Sequence, residues 1–192
     1  MRRSREEAKE TRRTIVQAAS RLFRERGIAA TSVADVMGSI GMTVGGFYRH
    51  FESKDALVAE AIDLASKESA EAHAAEAARA KGSARGLDLD AVLKRYLSEV
   101  HCRNPGRGCP VAALCSEIAH EPPATRKAFT EALRRLIDAL GSSLPEGSKR
   151  RRDALHAASS AVGALVLARA TSDERLARDL LAATHDELLR IA

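Results

Sequence analysis

The 192-residue chain has no tryptophan and only six aromatic side chains of any kind. It has five prolines, and runs of β-branched residues are nearly absent. Alanine instead supplies 37 residues, and alanine is the best helix former and a poor strand former. An all-α fold follows, which sets aside doubly wound sheets, TIM barrels and β-sandwiches, and most enzyme scaffolds with them. The three cysteines are an odd number and argue against a disulfide framework. The longest stretch without a polar side chain, 161–168, has eight residues, whereas a membrane span needs about 20. The opening MRRSREEAKETRR leads into no apolar segment, so no signal peptide is read there. A cytoplasmic protein is the expectation.

Charge is the first positive signal. Lys and Arg outnumber Asp and Glu by 31 to 26, and the excess is concentrated at the start, where residues 1–26 carry nine basic and four acidic side chains. That end suits a polyanion, although a solvated basic tail reads the same on charge alone.

Periodicity divides the chain into about nine helices. Ile15, Ala19, Leu22 and Phe23 make the apolar face of a first helix over 6–26, with Arg12, Arg13, Arg21 and Arg24 mostly elsewhere and Gly27 as its stop. Ser32 and Asp35 form a capping pattern for a short second helix. Thr43 is placed to cap a third, ending near Phe51, and Ser53 a fourth, continuing to about residue 80. KGSARG at 81–86 reads as a linker. Helices are then expected over 87–101, from Cys109 with Pro110 in its first turn, over 124–140, 149–170 and 172–191.

Residues 32–50 read as two short helices around a glycine-containing turn, with Val36, Ile40, Met42 and Phe47 packing them together. The outward face of the second is nearly free of bulk: Thr43, Gly45 and Gly46, then Tyr48, Arg49 and His50. Two glycines in a helix cost roughly 1 kcal/mol each relative to alanine, in a chain otherwise rich in alanine. Close approach to another surface is the physical reading.

The block 11–62, with Gly41-Met42-Thr43, the run Phe47-Tyr48-Arg49-His50-Phe51 and Ser53-Lys54, resembles the DNA-binding domain of the TetR (tetracycline repressor) family of transcriptional regulators. The remainder, 87–192, resembles the more variable helical half of that family, and GCPVAALCSEI at 108–118 is similar to a subgroup of it. The resemblance implies a helix-turn-helix head over 1–52 and an effector-binding and dimerisation bundle over 53–192. It places Thr43, Val44, Gly45 and Gly46 against base edges, and Tyr48, Arg49, His50 and Lys54 at or near phosphates. It implies a homodimer that binds a palindromic operator and is released by a small-molecule effector, with repression the default output. No catalytic residue, metal or cofactor is expected.

Three weaker signals remain. Tyr96, Val100, Leu114, Ile118, Phe129 and Leu133 are candidates for an internal ligand pocket, or simply core. Cys109, near a helix N-terminus and close to Cys102, is a candidate redox or electrophile-sensing thiol, the alternative being a small buried residue at a tight junction. Leu155, Ala158, Val162 and Leu165, with Ala154, Ala161 and Ala168 beside them, make an apolar surface on the penultimate helix wide enough for core on one side and a partner helix on the other.

Overall fold

A computed structural model describes residues 5–79 and 89–190. Within them the chain forms ten α-helices and one short 3-10 turn, with no strand. The helices are α1 (Arg5–Arg26), α2 (Val33–Ser39), α3 (Val44–Phe47), α4 (Lys54–Arg79), α5 (Leu89–Tyr96), α6 (Glu99–Arg103), α7 (Pro110–Ile118), α8 (Pro123–Gly141), α9 (Arg150–Ala170) and α10 (Glu174–Arg190). The 3-10 turn, Pro105–Arg107, lies between α6 and α7. The expected linker at 81–86 lies outside the described residues.

Local signals account for most boundaries. Gly27 ends α1 with φ +88°, and Gly41 turns the chain between α2 and α3 with φ +69°, a conformation only glycine adopts at no cost. Ser32 caps α2 in a complete capping box: Asp35 N–H donates to Ser32 Oγ at 3.1 Å and Ser32 N–H to the Asp35 carboxylate at 2.8 Å. The Ser32 hydroxyl also donates to the Asp35 carboxylate, and this bond first, then that from Ser32 N–H, holds the Asp35 carboxyl below its usual range. Ser53 Oγ accepts from Ala56 N–H in the same way at the start of α4.

Two expectations are corrected. The helix expected over 87–101 is two, because Ser98 takes up extended backbone and caps α6 by accepting from His101 N–H. The third helix has a single helical turn, Val44–Phe47. Thr43 is its N-cap residue but makes no side-chain capping bond.

The core runs without a break from the N-terminal helices into the C-terminal bundle. α4 joins the two, packing on α1 at one side and most extensively on α8 at the other. α9 lies between α8 and α10. α1 also meets the 3-10 turn and α7, so the head is seated directly on the bundle.

Candidate nucleic-acid interface

α2 and α3 are held as a unit by Val36, Met37 and Phe47, all fully buried, with Ile40 and Met42 packed partly buried against them. Phe47 stacks on Phe51 with ring centroids 5.3 Å apart and takes the Tyr48 ring edge-on at 5.1 Å. α3 is therefore anchored by one large side chain, and its other positions are turned outward. Thr43, Val44, Gly45, Tyr48 and Arg49 are exposed; Val44 and Tyr48, at 42% and 66%, are among the few exposed large hydrophobic side chains of the described residues.

The two glycines differ. A Cβ on Gly45 would meet nothing within 4 Å, so this position is open outward. A Cβ on Gly46 would stand 3.6 Å from the methyl groups of both Met37 and Met42, which is ordinary contact with the α2–α3 interior. Neither has a positive φ. The sequence reading put both on one exposed face; only Gly45 is fully there.

His50 is half-buried, and its carbonyl accepts from Arg12 Nη1 at 2.6 Å. Arg12 also pairs with Glu60 of α4 and lies 4.0 Å over the Phe51 ring. It thus ties the residues after α3 to α1 and α4, a role the sequence reading missed. Lys54, half-buried at the start of α4, donates from Nζ to the Ile28 carbonyl at 2.6 Å. Its ammonium clamps the α1–α2 loop, and with three donors it has capacity for further acceptors.

Arg24 departs furthest from expectation. Set mostly off the apolar face of α1 by the periodicity, it is buried, and its guanidinium donates to the Gly108 carbonyl at 2.8 Å, to the Ser20 carbonyl at 2.9 Å and to Ser20 Oγ at 3.2 Å. Burial lowers its pKa, against the opposing pull of Glu68. A second tie runs from α7, where Glu117 Oε2 accepts from Ala29 N–H at 2.9 Å, just after the α1 stop. Both partners lie more than 80 residues away along the chain, so no local pattern announces them.

The candidate pocket residues do not converge. Tyr96 and Val100 line one cavity, whereas Leu114 and Ile118 are buried in the core and Phe129 and Leu133 pack partly buried against it. Cys109 is 3% exposed, and its N–H donates to His101 Nε2 at 3.0 Å. A sensing thiol has to be reached by its oxidant, so burial favours the structural reading of this cysteine. All three cysteines are free. On α9 the Ala154, Ala158, Ala161, Leu165 and Ala168 stripe is buried within the protomer, Val162 and Val166 pack partly buried against the core, and Leu155 and Leu167 are exposed. Leu165 is thus core and no surface residue. Among the described residues no helix is long and apolar enough to cross a membrane.

Residues 15–61, the span from the middle of α1 into α4, match the family model described as bacterial regulatory proteins of the tetR family. The HTH-type transcriptional regulator TtgR of Pseudomonas putida is 46% identical over 63 residues, which is 33% of this chain and 30% of that protein. An HTH-type regulator of Mycobacterium tuberculosis, MT0206, is 34% identical over 119 residues, 61% of this chain and 58% of its own length. The aligned part thus spans between about a third and three-fifths of these relatives. The fold extends further. The crystal structure of a TetR-family regulator from Cytophaga hutchinsonii superposes with a TM-score of 0.75 at 21% identity, covering 100% of this chain and 98% of that one. A TetR regulator from Chloroflexus aurantiacus superposes with a TM-score of 0.74 at 25% identity, covering 96% and 95%. Helix-turn-helix, bundle and sequence agree: residues 15–61 belong to the tetR family of bacterial regulatory proteins, and the chain as a whole has the fold of TetR-family regulators.

Proposed function

We propose that the chain is an effector-responsive repressor that binds a palindromic operator as a homodimer, with residues 1–52 as its DNA-binding head and 53–192 as the effector and dimer half. The observation that carries this reading is the outward strip of α3. Thr43, Val44 and Gly45 stand exposed above a buried Phe47, with Tyr48 and Arg49 beside them. A single turn so stripped of bulk brings its backbone within reach of base edges in a major groove. Thr43 supplies a hydroxyl that makes no capping bond, Val44 an apolar contact for thymine methyls, and Tyr48, Arg49, His50 and Lys54 the donors for flanking phosphates. With so few side chains able to hydrogen-bond bases, the shape of the DNA contributes to specificity.

Two heads have to be held at one spacing to read two half-sites, and Leu155 and Leu167 of α9 with Leu176 of α10 are exposed apolar side chains that a second copy would cover. Selection of bound duplexes from a random library, followed by titration of the best one against salt, tests the whole reading. The expected result is an inverted repeat whose log K falls with log salt by about 0.9 per neutralised phosphate. A chain that enriches no duplex, or binds one without salt dependence, is not such a regulator.

A further inference from the structure

A cavity of about 330 Å³ lies where the head meets the bundle. Its wall takes Arg24 from α1, Glu68 from α4, Arg95 and Tyr96 from α5, Val100 from α6, and Arg107 from the 3-10 turn. We propose that this cavity is the effector site and that its ligand is an organic anion, a carboxylate carried on an apolar body. The proposal rests on the reading of the chain as an effector-responsive regulator.

Charge decides the ligand class. Among the described residues, Arg24 and Arg107 line the cavity against the single carboxylate of Glu68, even with Arg95 left out of the count. The imidazole in the wall adds nothing to that balance. His101 Nδ1 faces the Tyr96 carbonyl at 2.6 Å and must donate, while Nε2 accepts from Cys109 N–H at 3.0 Å. Both nitrogens are committed in a neutral tautomer, and burial, ahead of the nearby arginines, holds the pKa down to about 4. The balance is therefore positive. The Arg24 side chain is 7% exposed, yet the carboxylate it pairs with, Glu68, is half-exposed and stands 3.9 Å away. A buried cation gains most from a close, desolvated anion, and a bound carboxylate would supply one. Tyr96 adds a donor, since its hydroxyl is buried beside the Cys109 thiol without a well-formed hydrogen bond, and burial keeps it protonated. The apolar body has a matching surface in Val100, which is 73% exposed and lines the cavity.

The position of the site also says how it acts. Arg24 belongs to the head, and its bond to the Gly108 carbonyl ties α1 to the residue preceding the α7 N-cap, Cys109. The far end of α7 holds the α1–α2 loop through Glu117 and Ala29. A carboxylate drawing on Arg24 competes with Gly108, so occupancy changes the seat of α1 on the bundle and with it the direction in which α3 faces.

Isothermal titration of the full chain with 2-naphthoate and with 2-naphthamide, which match in shape and differ in charge, tests the site. The expected result is that naphthoate binds at least about tenfold tighter than the amide, as a charge-assisted contact implies. Arg107→Gln and Val100→Glu alter exposed side chains, so both fold, as a melting curve verifies, and each weakens naphthoate by about tenfold. Saturating naphthoate is expected to lower the affinity for the selected duplex. Equal binding of the two probes, no binding of naphthoate, or binding untouched by both substitutions overturns the anion site. Naphthoate that binds as expected but leaves duplex affinity unchanged overturns its role as effector site. A chain that takes naphthoate but enriches no duplex instead removes the regulator reading and leaves the anion site standing.

Discussion

Gly45 and Gly46, adjacent in the chain, stand in two different settings. Gly45 opens to the outside, so Gly45→Val leaves the fold intact while its methyl groups occupy the space a groove would fill. The expected outcome is a melting temperature within a few degrees of wild type, since the helix gains a better former than glycine, and loss of operator binding in a duplex titration. Gly46→Ala meets Met37 and Met42 at ordinary contact distance and is expected to bind within about threefold of wild type, a difference of roughly 0.6 kcal/mol. The buried imidazoles make a further prediction. His73 is pushed down to about 4, by burial first and then by Arg95, and His101 likewise by burial and then by Arg169, Arg95 and Arg24. Folding keeps both neutral, so between pH 6.5 and 4 the unfolded chain binds more protons than the folded one. Their contribution is intact above about pH 6.5 and is lost as pH falls toward 4. Urea midpoints across that window are expected to fall steadily, and His73→Leu to remove about half of the pH-dependent slope.

Among the elements, α2 rests on its cap to an unusual degree, having only seven residues. Ser32→Ala removes the side-chain arm of the capping box, leaves the backbone N–H bond to Asp35 in place, and is expected to cost about 1 kcal/mol, read by thermal melting. Ser32 is exposed, so nothing else is disturbed. Lys54→Ala belongs to this scale too, because the ammonium holds the Ile28 carbonyl. It is expected to lose about 1 kcal/mol of stability and to flatten the salt slope of duplex binding by up to about one unit per half-site. A variant that loses stability with an unchanged slope would make Lys54 a clamp and nothing more.

For the whole molecule, the two sides of α9 separate folding from assembly. Leu165 is fully buried in the protomer, whereas Leu167, two residues on, is 56% exposed. Leu165→Glu places a charge in the core and is expected to prevent folding. Leu167→Glu is expected to fold, to sediment as a monomer, and to lose tight binding to the palindrome while keeping weak binding to a half-site. A Leu167→Glu protein that remains dimeric would move the interface off this face of α9.

Composition and periodicity determined a great deal by themselves. Alanine content and the lack of β-branched runs specified an all-helical chain. The caps at Ser32 and Ser53 and the glycine stops at 27 and 41 were legible because each acts within a few residues of its own position. The helix-turn-helix was readable for the same reason. What only the tertiary structure decided involves partners far apart in the chain. The Arg24 bond to Gly108, the Glu117 bond to Ala29 and the Arg12 bond to the His50 carbonyl join residues between 38 and 88 positions apart, and a helical wheel sees only its own helix. The same reason explains why α9 was read as one wide apolar surface: which side meets the core depends on where α8 and α10 lie. It explains too why five of the six candidate pocket residues are core or packed against it, Tyr96 lining the cavity as well, since a cavity is made by the elements around it and not by the hydrophobicity of any one of them.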